Sequence, residues 1–413
     1  MQKLLVIALL FAAFLNTRAQ SIASLEKDLY GIASDATEGR FTGSAGYLKA
    51  AMYLEAQLKK AGAKPGWSAG GKKTYLQPVP FSWDDYTGSQ LVINGQAYPH
   101  AAQHFIITKC GITRPGKWIV AAAGDPVTGS PAGIVLLPSA DQAKDWETMV
   151  LREYRFGYMH YLPDGLPVKE GIPTLILSPS LAKLLAPGDS VAVVLHYQAE
   201  RRTGYNVIGI VPGADTNQRQ AIIIGAHLDH LGRIGQHIYN GANDDASGCV
   251  AALGAAKMLT AAPIKRTVIV AFFCGEELDL KGSQWFAAHL PVPQSEVLLM
   301  VNLEQLASRD RSIRGVGALG DTVLRQPFYR AGSPLFGEDL VFLPTDSVKE
   351  VLRNTDTYSF MRMSIPSLLL GSGGFDEHHT PADKIDGIDI EQLRKATRLL
   401  AGLIAGIGGG VGG

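Results

Sequence analysis

Polar side chains of one chemical kind recur where apolar runs of this chain stop. The run 221–224 ends in Gly225 and is followed by His227 and Asp229; a turn-rich loop then leads to Asn243, Asp244 and Asp245 at the start of an apolar helical run. The run 269–273 leads into Cys274, Gly275, Glu276 and Glu277, the run 299–303 into Glu304, and the run 368–370 into Gly371 and then Asp376, Glu377, His378 and His379. Adjacent carboxylates at the end of a buried strand repel one another and lose hydration, a cost that a cation removes. Imidazoles and hard oxygen donors without a thiolate quartet suit Zn²⁺, with a carboxylate able to bridge two ions.

Each motif alone has a plainer explanation. A histidine after a strand is commonly a turn residue, Asp-Asp-Ala-Ser is an ordinary helix N-cap, and Glu276-Glu277 would suit the positive end of a helix dipole. Their coincidence at successive strand ends, where open α/β sheets keep their sites, favours a metal centre.

The elements that must carry these residues can be read from periodicity. Strands are expected at 206–211, 221–225, 267–273, 297–303 and 367–370, with helices at about 246–260, 282–289 and 389–406. This alternation predicts an α/β fold, a mostly parallel mixed sheet covered by helices on both faces. Tyr47, Ala51, Leu54 and Leu58 mark a further helix that Gly62 stops, and the loop 38–44 before it reads as a turn with Ser44 as N-cap. Between 84 and 201 the texture changes to short β-rich pieces (117–123, 133–137, 174–177, 191–197) broken by Pro and Gly, which reads as an inserted subdomain. Residues 20–83 and 202–406 then form one unit, and the glycine-rich 407–413 a flexible tail.

Composition limits the partners. Lys+Arg and Asp+Glu are both 38, so no basic field exists for nucleic acid or an anionic membrane. Lys3, the apolar stretch 4–15 and Thr17-Arg18-Ala19 read as a signal peptide over 1–19, too short to span a bilayer, which implies a secreted or periplasmic protein. Its removal leaves 36 basic against 38 acidic residues, a charge of about −2. Cys110, Cys249 and Cys274 allow at most one disulfide, and the last two lie in apolar runs that suit buried thiols.

The segments GAHLDH, GANDDASG, FFCGEELDLKGS, VNLEQ and HHTPADKID resemble, in order and spacing, the motifs of the di-zinc aminopeptidase family that includes secreted bacterial leucyl aminopeptidases and glutamate carboxypeptidase. The 84–201 insert is similar to a shortened protease-associated domain. The resemblance implies the zinc exopeptidase fold, a peptide substrate and two zinc ions. His227, Asp244 and Glu304 would hold the first ion; Asp244, bridging, would hold the second with Glu277 and His379. Glu304 stands where many members carry Asp. Asp229 would take the other nitrogen of His227 and set its tautomer. Glu276 would be the general base, taking a proton from the attacking water and passing it to the leaving amine. His378 replaces a tyrosine of many members and would donate to the oxyanion. Asp356 resembles the aspartate of the family's Ser-Asp-His segment, but Thr357 follows it, and it reads as structural. The expected activity is aminopeptidase; a carboxypeptidase or dipeptidase, with Arg314 or Arg362 holding a substrate carboxylate, and a non-catalytic receptor-like ectodomain are the alternatives on this fold.

Overall fold

The computed structural model describes residues 21–109, 117–126, 131–153, 159–162, 172–318, 321–345 and 348–409. The signal-peptide reading and Cys110 lie outside them. The chain divides into two compact units, 1–79 with 204–233 and 238–413, and 80–203 with 234–237.

The first unit is built on a mixed sheet. The strands that bear on the site are β1 (Gln198–Val211, whose first residues belong to the other unit), β2 (Ala221–His227), β3 (Thr267–Phe273), β4 (Val297–Glu304), β5 (Ile313–Ala318), β6 (Leu340–Leu343) and β7 (Ser367–Ser372), in the spatial order β1-β3-β2-β4-β7-β5-β6 within a ten-stranded sheet. Strands β3, β2, β4 and β7 are parallel. Strand β1 runs antiparallel to β3, and β5 antiparallel to β7. All seven residues of β2 are buried, as expected of a central parallel strand with both faces covered.

Helices α1 (Ile22–Ala33), α2 (Ala45–Ala61), α3 (Gly248–Ala261), α5 (Asp321–Phe336) and α6 (Ile390–Gly408) pack together on one face, while α4 (Lys281–Ala288) lies with the short helix Thr357–Met361 on the other. On that second face Ile223, Ile269, Phe273 and Met300 meet Phe286 and Phe360. Ser44 caps α2 by accepting from the Tyr47 amide, and Gly62 ends it in the left-handed region at φ 91°. Strands β5 and β6 and helix α5 were not expected. Strand β6 is a four-residue edge strand, β5 beside it is interrupted by Arg314, and α5 carries Pro327 and Pro334 in a polar sequence that hides its period. Helix α6 runs to Gly408, two residues past the expected end. Gly408 is held there by packing, since a Cβ on it would lie 2.2 Å from Ile264.

The second unit contains a seven-stranded sheet in the order Gln96–Pro99, Gln90–Ile93, Ser190–Val194, Trp118–Ala122, Gly133–Leu137, Thr174–Leu177, Phe105–Lys109. Leu91, Phe105, Trp118, Val135, Leu175 and Leu177 form its core.

Candidate metal centre

Parallel β2, β3 and β4 end side by side, so their terminal residues share one edge of the sheet. Their residues, with loops 242–247 and 376–379, form three groups whose ligand atoms lie within 4.8 Å of one another: His227, Glu276 and Glu304; Asp244, His378 and His379; and His230, Asp244 and Glu277. All eight expected site residues except Asp229 fall in these groups, and Asp244 belongs to two of them.

The Asp-Asp pair divides into two jobs. Asp245 accepts from the amides of Gly248 and Gln305 at 3.2 and 3.0 Å, so it caps α3 and ties that helix to the end of β4. Ser247 adds to this tie, its hydroxyl accepting from the Leu306 amide at 2.9 Å. Asp244 does not cap. Its amide donates to Asp383 at 3.0 Å, and its carboxylate turns toward the strand ends. Gly241, at φ 57°, makes the turn before it; a Cβ there would meet the Asp244 carbonyl at 2.2 Å and the His230 ring at 2.5 Å.

Four imidazoles crowd the Asp244 carboxylate. Its Oδ1 lies 3.0 Å from His227 Nε2. Its Oδ2 is buried and has no hydrogen bond among the described residues, yet nitrogens of His378, His379 and His230 stand 3.1, 3.4 and 3.8 Å from it. Glu277 Oε1 is 2.8 Å from His230 Nδ1 and 3.2 Å from His379 Nε2. His227 Nε2 also faces Glu304 at 3.6 Å and Glu276 at 4.0 Å. Buried carboxylates and imidazoles pointing at common centres are what a divalent metal requires, and the residues present therefore fit such a group.

Without a cation the charges act on one another. Burial opposes protonation of His227, but Glu276, Asp244 and Glu304 outweigh it and hold its pKa well above the usual value. For Asp244, burial is overcome by His227, His378 and His379, which keep it well below the carboxylate range. Burial, reinforced by Glu277 and Glu304 against the opposing His227, pushes Glu276 well above the usual range. His379 is raised to about 9; burial opposes the rise and Asp244 and Glu277 drive it. A bound cation favours carboxylate and neutral imidazole, so it opposes the rises of His227, Glu276 and His379 and reinforces the depression of Asp244.

Two expectations need correcting. The Asp229 carboxylate does not take the second nitrogen of His227: its Oδ1 is 3.9 Å away, and the main-chain carbonyl of Asp229 occupies that place at 3.0 Å. The carboxylate instead accepts from the Glu276 amide at 3.1 Å and the Thr42 hydroxyl at 3.0 Å. His378, expected to face an oxyanion, stacks on His379 at 3.8 Å with Nε2 directed at Asp244, so it stands among the donors. Asp356 is fully buried, and its carboxyl is pushed up to about 8 by burial, with Glu304 adding and His227 opposing. Arg314 pairs with Asp310 at 3.5 Å.

Sequence reasoning missed His230, Asp383, Arg40 and Thr42. His230 is the last residue of the GAHLDH motif and was legible as a second imidazole. Asp383 accepts from the amides of Asn243 and Asp244, about 140 residues away in the chain, which no local pattern announces. The loop 38–44, read as a turn and a cap, places Arg40 and Thr42 in the interior.

Comparison with known proteins agrees with this geometry. Residues 206–404 match Peptidase family M28. This match, to just under half of the chain, agrees with the resemblance read from the five motifs. A probable leucine aminopeptidase 2 of Aspergillus oryzae is 34% identical over 127 residues, 30% of this chain and 24% of that protein. Its Aspergillus fumigatus counterpart is 35% identical over 112 residues, 27% of this chain and 21% of that protein. The chain therefore spans less than a quarter of the length of these two relatives. Among solved structures, a zinc aminopeptidase from Bacillus subtilis superposes with a TM-score of 0.67 at 16% identity, covering 94% of this chain and 95% of that one. An aminopeptidase from Aneurinibacillus sp. strain AM-1 gives 0.57 at 19% identity, covering 93% and 94%. At such identities the likeness establishes the fold, a mixed α/β sheet of the zinc aminopeptidase kind.

Proposed function

We propose that the protein is a secreted or periplasmic zinc-dependent exopeptidase that removes N-terminal residues from short peptides. The observation that carries this reading is the convergence of His227, Asp244, Glu277, Glu304 and His379 from separate strand ends and loops, with the largely buried Glu276 carboxylate beside them. Zinc would be held at two positions, by His227, Asp244 and Glu304 and by Asp244, Glu277 and His379. When bound, it polarises the scissile carbonyl and makes water acidic enough to lose a proton near neutrality.

Glu276 accepts a proton from the attacking water as its oxygen bonds to the carbonyl carbon. It then returns that proton to the amide nitrogen as the C–N bond breaks, leaving a carboxylate and a free amine. The carboxylates gathered here also offer acceptors for the ammonium group of a peptide N-terminus. The matched relatives are named leucine aminopeptidases, which favours this terminus. Among the described residues no helix is long and apolar enough to cross a membrane, and the stretch 1–19 supports export. The 84–201 insert is proposed as a protease-associated-like subdomain.

Glu276→Gln tests the assignment, because it is nearly isosteric and removes only the proton acceptor. Peptide turnover should fall on the order of 10²- to 10⁴-fold while zinc content is unchanged. A variant that keeps most of its activity would overturn the general-base role.

A further inference from the structure

We infer that Thr42 is a positioning residue for the general base, and that the loop 40–42 holds the site together from outside the family-matched segment. This rests on the reading of Glu276 as the base. Thr42 is fully buried. Its hydroxyl donates to Asp229 Oδ2 at 3.0 Å and accepts from the Gly275 amide at 2.8 Å. The other oxygen of Asp229 accepts from the next amide, that of Glu276, at 3.1 Å. Two successive amides at the base are therefore captured by one Thr–Asp pair, which fixes where the Glu276 side chain leaves the main chain.

Arg40, two residues earlier, anchors the same loop. Its guanidinium is fully buried and donates to the carbonyls of Leu228 at 2.7 Å, Gly241 at 2.9 Å and Asn240. In return the His230 amide donates to the Arg40 carbonyl at 3.2 Å. Gly39 lets the loop approach so closely: at φ 70°, a Cβ would meet the carbonyls of Tyr239 and Gly232 at 2.4 and 2.5 Å. One short loop thus grips the chain just after His227, just before Asp244 and at Gly275-Glu276.

A hydroxyl is required at residue 42 because it must donate and accept at once; valine has the same shape and does neither, and serine does both. General-base catalysis depends on sub-ångström placement, so loosening the Glu276 main chain lowers turnover without removing a ligand. The full-length zinc-loaded protein carrying Thr42→Val should lose about 10- to 100-fold in kcat, with KM and zinc content within about twofold of wild type, and Thr42→Ser should recover most of the loss. In the Glu276→Gln background Thr42→Val should cost little more, because the residue acts through the base.

A structural role alone would make the two losses multiply. The inference is overturned by that result, by an unchanged kcat in Thr42→Val, or by zinc lost in proportion to rate. Should Thr42→Val not fold, Thr42→Ala carries the same comparisons. An inactive wild type overturns the hydrolase reading and this inference together, whereas an active wild type matched by Thr42→Val overturns only the inference.

Discussion

Replacing Asn206 by leucine should destabilise the protein more than any local reading of a strand residue suggests. Asn206 lies on β1 and is fully buried. Its Nδ2 donates to Gln77 Oε1 at 2.8 Å and to the Gly282 carbonyl at 2.9 Å, and its Oδ1 accepts from the Cys274 amide at 3.0 Å. One side chain thus closes both ends of the segment 274–282, which carries Glu276 and Glu277. Leucine has similar volume and no polar atom, so the Cys274 amide, the Gly282 carbonyl and Gln77 Oε1 all lose their partner. A buried group left without its hydrogen bond costs about 1–3 kcal/mol, so three such losses amount to about 3–9 kcal/mol. Domains are commonly stable by about 5–15 kcal/mol, which makes this a large share. Urea unfolding measures it as a fall in midpoint with the slope m unchanged. Turnover of the folded fraction should fall as well, since both ends of the base-bearing segment are released. A loss below about 1 kcal/mol would refute the argument that Asn206 alone satisfies these groups.

Two further perturbations test other parts of the structure. Burial lowers the pKa of His100, in the second unit, from 6.5 to about 4, with Asp85 opposing the shift. Between those pH values the unfolded chain binds a proton that the folded one does not, so stability falls as pH drops through this window, by at most about 3 kcal/mol. His100→Gln should remove that part of the acid sensitivity in melting curves at pH 7 and 4.5, and an unaltered pH dependence would exclude His100 as its source. Glu304→Ala should reduce zinc from two equivalents to about one, because Glu304 faces His227 and not the His379 side of the site. Elemental analysis decides this, and retention of both ions would remove Glu304 from the ligand set.

How much of this could be read in advance depended on whether a residue's partners are local. The central strands were legible because apolar runs such as 221–224 have no other explanation in a long chain. Most of the donors were legible because they stand within a few residues of where such a run ends, as His227, Glu276, Glu277 and Glu304 do. Strands β5 and β6 gave no comparable signal, since Arg314 interrupts one and the other has only four residues. The supports of the site were hidden for a different reason. Arg40 binds carbonyls 188 to 201 residues away, and Thr42 meets Asp229 and Gly275 across 187 and 233 residues. Nothing in the local sequence EGRFTGS distinguishes those contacts from a solvated turn. Asp229 was misread for a related reason: a carboxylate two residues after a histidine can reach the ring, but so can its own carbonyl, and the Glu276 amide competes for the side chain.

The central claim is that this metal centre hydrolyses peptides from their amino end. The most direct measurement incubates the zinc-loaded protein with one tripeptide in free, N-acetylated and C-amidated forms and reads the products by mass spectrometry. The free and amidated peptides should lose their first residue, the acetylated one should survive, and chelation should stop cleavage. Cleavage of the acetylated peptide from its carboxyl end, with the amidated form resistant, would contradict the aminopeptidase assignment, and intact peptides in all three cases would contradict the hydrolase itself.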